Sequence, residues 1–155
     1  MECKTPVLVR YDNVRIEVRE GNGGRLIQEI TARNRIVHFG LDQFANLVGY
    51  PRTSAAVSPR YIGWGTDGTA TIDTQVTLGA ETYRNPIVRK KPLAQGIELH
   101  GLLTTTEGNG TTYKEIGLFH RAAGYELFGR VTFTGIGKNS GNSLFVIWSI
   151  LFAAG

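Results

Sequence analysis

The stretch "YIGWGTDGTAT", residues 61–71, decides between two kinds of fold. Its Gly63, Gly65 and Gly68 match G-x-G-x-x-G, the spacing of a dinucleotide-binding turn. That turn works because its glycines let the backbone approach a pyrophosphate while a helix N-terminus behind it supplies N–H groups. The helix has to begin within the motif. Here the chain continues "TATIDTQVTLG", rich in Thr, Ile and Val, which are poor helix formers and good strand formers. No βαβ alternation follows, and Gly-Lys-Ser/Thr, the signature of a P-loop, is absent. The stretch therefore predicts a turn between β segments, with Thr66 and Asp67 satisfying local backbone groups.

The same period of two extends outward in both directions. Upstream, Val14, Ile16 and Val18 alternate with Arg15, Glu17 and Arg19, a strand with one wet face. "EGNGG" (20–24) is a turn and residues 26–32 resume the strand, so a hairpin is expected. Leu41, Phe44, Leu47 and Val48 recur at helical spacing between Gly40 and Gly49, predicting one short helix of about two turns. Downstream, strands are predicted over 61–64, 81–89, 97–106, 114–119, 126–134 and 143–152, separated by turn-rich "TEGNGTT", "HRAAGY" and "GIGKNSGN". The last, "LFVIWSILF" (144–152), is apolar on both faces. It reads as a central strand with one face in the core and the other covered by a second layer or another subunit. Many short strands with regular turns predict a mainly β chain, a β-sandwich or barrel with one short helix. The 155 residues suit a single domain, divided into an N-terminal arm or hairpin (1–35) and a β-rich body (36–155).

The chemistry that could make this an enzyme is thin. His38, His100 and His120 show no i,i+4 pairing and no His-Glu-x-x-His, and Cys3 is the only cysteine. Neither a metal nor a cofactor is expected. No Gly-x-Ser-x-Gly elbow is present, and Asp67 and Asp73 sit among Gly and Thr as turn-capping residues do. Asn109-Gly110-Thr111 fits a glycosylation sequon but reads as a turn. A net charge of +4 is mild and scattered, and its densest cluster, Arg89-Lys90-Lys91, reads as a solvated strand end. Aromatic residues fall one or two per strand, as core packing requires. A single-strand nucleic-acid binder would instead expose them in a row among basic residues. The N-terminus carries no secretory pattern, and no run reaches the ~18 apolar residues of a membrane span.

Four segments appear in order: "YIGWGTDGTATIDTQVTLGAETYRNPI", "GNGTTYKEIGLFH", "YELFGRVTF" and "GNSLFVIWSILF". This order resembles a recurring β-rich module of tailed-phage virion proteins. In that module a Gly-Thr-Gly-like loop leads to Thr-x-Leu-x-x-Glu-x-x-Arg, followed by a Glu-Ile-Gly-Leu-Phe strand and a final strand with Trp before alternating apolar residues. Leu78-x-x-Glu81-x-x-Arg84 stands in the second place, though Thr77 departs from the spacing. Residues 115–119 match the third place fully, and 148–152 match the last. The segment "TARNRIVHFGLDQFANLV" (31–48) looks like the module's lead-in. The resemblance covers about two thirds of the chain. It implies a compact, β-tulip-like virion component without catalysis: a capsid decoration (cement) protein, or alternatively a tail or tail-fibre component in host adhesion. The chain has no heptads and no collagen-like repeat, which suits the capsid role better than a fibre shaft. The decoration class implies a homotrimer on the major capsid protein, in a virion assembled in the host cytoplasm. It implies no contact with membrane and no direct contact with nucleic acid. The candidate assembly residues are those of a short arm reaching a neighbouring copy: Thr5, Pro6, Val7, Leu8, Val9 and Arg10.

Overall fold

In a computed structural model of the chain, residues 7–10, 13–49 and 58–154 are described. Among them, two antiparallel sheets pack face to face as a β-sandwich, with no closed barrel. The first sheet runs in the order β3 (Leu26–Arg33), β2 (Asn13–Glu20), β11 (Asn142–Ala154), β8 (Gly96–Leu103), β7 (Arg89–Leu93). The second runs β4 (Arg35–Ile36), β10 (Leu127–Lys138), β9 (Thr111–Phe119), β5 (Tyr61–Gly65), β6 (Glu81–Pro86). A twelve-residue helix, α1 (His38–Gly49), starts two residues before the predicted span. Its Phe39 and Phe44 rings meet Phe128 edge-on, at 5.3 and 6.3 Å between centroids.

Period-two alternation explains the core. On β2, Val14, Ile16 and Val18 point inward and are buried, while Arg15 and Arg19 lie on the outer face. A strand slipped by one residue would put the charges in the core, so the register is strongly specified. β11 is central as expected, flanked by β2 and β8, with Leu144, Val146, Trp148 and Ile150 facing inward. Across the gap lie Ile62, Trp64, Tyr113, Ile116 and Phe128 of the second sheet and its surroundings. Asn85 ties the layers together: it accepts a bond from Trp64 Nε1 at 2.9 Å and donates to the carbonyl of Leu102 at 2.6 Å. Most of the aromatic rings the sequence offered are therefore core packing, with Trp64, Tyr113, Phe119, Phe128 and Trp148 all buried.

Two differences from the sequence reading stand out. Residues 13–33 form the expected hairpin but are built into the first sheet, where 1–35 were read as the N-terminal arm or hairpin of the single domain. The reason is that Val14, Ile16 and Val18 complete the inward row of the first sheet beside β11. The predicted strand over 81–89 is two strands: β6 ends at Pro86, and β7 then pairs with β8 in the other sheet. Pro92 and the cluster Arg89-Lys90-Lys91 lie on β7, at the edge of the sheet, where a proline's missing N–H and solvated charges are tolerated.

Candidate functional site

The loop that follows the motif, residues 66–80, cradles an anion, and the anion is the protein's own. β5 ends at Gly65, no helix follows, and residues 66–80 cross the outer face of the second sheet. Beneath this loop lies Glu115 of β9, fully buried. Its carboxylate accepts backbone N–H bonds from Asp67 (3.3 Å), Gly79 (3.0 Å) and Ala80 (2.7 Å), and a bond from Arg130 Nε at 2.6 Å. The Arg130 guanidinium, also buried, donates onward to the carbonyls of Thr69 (2.8 Å) and Asp67 (3.2 Å). Every charge under the loop thus meets a partner, as burial of ions demands.

Glycine is required where the loop comes down. A Cβ on Gly65 would run into the Glu115 carboxylate. One on Gly117 would stand 2.7 Å from Leu127 Cδ1 and 2.8 Å from Leu78 Cδ2. Leu78, Val37, Phe119 and Leu127 make a second small core between loop and sheet. The predicted turn chemistry is present: the Asp67 carboxylate accepts from Thr69 N–H at 2.9 Å, and this bond, more than the charge of Arg130, holds its carboxyl below the usual range.

The segments that carried the family resemblance meet here. Glu81 and Arg84 form a bidentate pair with both contacts at 2.6 Å. The Arg84 guanidinium lies 3.6 Å from the centroid of the Phe119 ring and donates to the carbonyls of Arg121 and Gly124. The nearby carboxylates are each tied to a different cation: Asp67 to Arg130, Asp73 to Arg35 and Glu81 to Arg84. Asn109 of the sequon bonds to Lys138 Nζ and to the Thr105 carbonyl inside a turn. Among the described residues, no group of three His, Cys, Asp or Glu side chains is placed to hold a metal ion, and no helix is long and apolar enough to cross a membrane.

The outer face of the first sheet has no such roof among the described residues. Cross-strand register lines up Glu29, Glu17, Phe145 and Leu102 in one row, and Thr31, Arg15, Ile147, His100 and Arg89 in the next. Phe145, Ile147 and Leu102 are half-buried and form an apolar strip with charges on both sides. Phe145 packs edge-on against His100, 5.4 Å between ring centroids, and borders a depression of about 330 Å³ also lined by Glu17, Arg19 and Thr104. Glu17 is itself buried between Arg15 (3.3 Å) and Arg19 (2.7 Å), so the rim is held in place. On the same face Glu98 loses some solvation by burial, but bonds from His100 and Lys91 outweigh this and keep its carboxyl lowered.

Of the candidate arm residues, Thr5 and Pro6 lie outside the described residues. Val7, Leu8, Val9 and Arg10 form β1 (Val7–Arg10), which pairs antiparallel with the end of β11, Val7 opposite Ala154 and Arg10 opposite Leu151. Because Gly96 of β8 takes the other side of Leu151, β1 continues the line of β2.

The Glu115–Arg130 pair was missed as a site in the sequence, where Glu115 entered only as part of a matched segment. A signal was available: Glu115 is the one carboxylate in "YKEIGLF" and Arg130 the one charge in "LFGRVTF", each in a largely apolar strand with glycine close by. In comparisons with protein-family models, curated proteins and solved structures, nothing matches this chain.

Proposed function

We propose that this chain is a structural virion protein of a tailed phage that binds the outer surface of the capsid and stabilises the shell against internal DNA pressure. The observation that carries the reading is the contrast between the two outer faces, one sealed by the chain's own loop and one left as an apolar strip with an ordered charged rim. Such a strip, rimmed by polar groups, is the form of a protein–protein contact surface. The resemblance to the virion module adds to it, since the residues that carry that resemblance pack as one unit around Glu115, Phe119 and Arg84. The partner is the major capsid protein and the assembly a homotrimer, with residues 5–10 offered to a neighbouring copy from where β1 lies along β11 of its own chain. The mechanism is mechanical: area buried across capsid subunits only in the closed shell lowers that shell's free energy by mass action. No catalytic step and no cofactor enter it.

Purified protein mixed with expanded empty capsids of the encoding phage tests this. It should co-sediment to a saturable stoichiometry and raise the burst temperature. Deleting residues 1–10 should leave the domain folded and weaken capsid binding. Free protein with an unchanged burst temperature would sink the capsid reading. A second reading, a tail or tail-fibre component in adhesion, draws on Tyr125, which is 69% exposed beside a depression of about 420 Å³ lined also by Thr77, Thr82 and Tyr83. Labelling of tails, or blocked adsorption to host cells, would favour it.

A further inference from the structure

The strands that end the two sheet orders are not alike. β4 is two residues long, β6 ends in Pro86, and β7 carries Pro92 among basic residues. Short length, proline and Lys-rich composition are the devices that keep an edge from pairing with another chain. β3 has none of these three, and the bulge near its start, between Leu26 and Gln28, lies outside residues 29–33. It runs eight residues with no proline and no lysine, ends its sheet, and exposes Leu26 (44%) and Ile27 (56%). Among the described residues no hydrogen bond is made along its outer side.

Its charges are also unmatched. Glu29 and Arg33 are exposed, lie on the same face of the strand, and take part in no side-chain hydrogen bond or ion pair among the described residues. Placing a two-fold axis through Thr31, perpendicular to the sheet, sets Glu29 of each copy opposite Arg33 of the other. Thr31 then meets its own mate, and Ile30 meets Ala32. Ile30 and Ala32 are partly buried against the core, so this register carries the inward apolar row from Ile16 and Ile30 of one copy into Ala32 and Val14 of the next. An axis through Glu29 would oppose two carboxylates, and one through Ile30 would leave both charges unpaired across the seam. Opposite residues in antiparallel strands point to the same face, so only whole-residue axes of this kind are open.

We propose that β3 is a self-association edge, pairing antiparallel with β3 of a second copy about Thr31 over residues 29–33 and joining two first sheets into one. The inference rests neither on the capsid reading nor on β1.

Charge reversal tests it on the full chain. Sedimentation equilibrium should show an association that Glu29→Arg weakens about thirtyfold or more, because both symmetry-related pairs change sign together. Adding Arg33→Glu to that variant should restore it. Both positions are exposed, and circular dichroism checks that the fold is kept. In a Cys3→Ser background, Thr31→Cys should form a disulfide dimer under mild oxidation. Ile27→Cys should not, since its mate would lie roughly 27 Å away along the strands. An association equal in wild type and Glu29→Arg, no association in the wild type, or no disulfide through residue 31 would each overturn the proposal.

Discussion

The second sheet hides its outer face under residues 66–80, whereas among the described residues the outer face of the first sheet is open. Both faces carry charge beside apolar side chains, yet the charges do different work. Under the loop, Glu115 and Arg130 are fully buried and spend their hydrogen-bonding capacity on backbone groups of the segment that covers them. On the open face, Arg15 and Arg19 both pair with Glu17 at one margin of the Phe145–Ile147 strip, and Glu98 pairs with Lys91 at the other. A buried ion pair of this kind is weak as a source of net stability but strict about geometry, because either charge left alone is costly. The sealed face is thus an internal joint. The open one has the make-up of a contact surface.

The largest break in that comparison comes from Glu115→Gln. It leaves the buried Arg130 charge with only the more distant, partly exposed Asp67 carboxylate at 3.4 Å, and should cost about 3–5 kcal/mol of folding stability, the usual effect of removing one partner of a buried pair. Denaturant unfolding measures it. A loss under ~1 kcal/mol would mean that the loop and Arg130 rearrange freely, and the joint would not be the lock described here.

Ile147→Ser on the open face should behave in the opposite sense. Its side chain is only half-buried, so the stability change should stay near 1 kcal/mol, while capsid binding falls at least about tenfold. Equal binding by this variant, measured by co-sedimentation, would remove the strip from the contact.

The smallest effect is in acid. Asp67 is held below the ordinary carboxylate range by the Thr69 N–H, and Asp73 by its bond from Arg35. A carboxyl lowered in the folded state adds stability that is fully present above its unfolded pKa of about 3.9, and that is lost as pH falls through the lower folded value. Unfolding free energy should therefore decline below about pH 4. Asp67→Asn should flatten part of that decline without changing its sign. An identical acid profile in the variant would show that the Asp67 turn does not contribute.

Much of this architecture could be read along the chain, and the parts that could not share one cause. The β2–β3 hairpin, the turn after Gly65 and the central place of β11 were all legible because alternation, glycine and Asn or Asp act within a few residues of one another. The split at Pro86 was less so, since a proline ends one strand without saying that the next joins the other sheet. The Glu115 site was not read at all. Its partners stand 15, 35, 36 and 48 positions away in sequence, and only the pairing of β9 with β5 and β10 brings them together. G-x-G-x-x-G announces a backbone able to receive an anion, a local property of glycine. Which anion arrives, and which sheet face is left open, depend on strand order. Strand order is set by the burial of rows contributed from the whole chain, so the sequence alone determined the strands and turns, and the tertiary structure decided what they enclose.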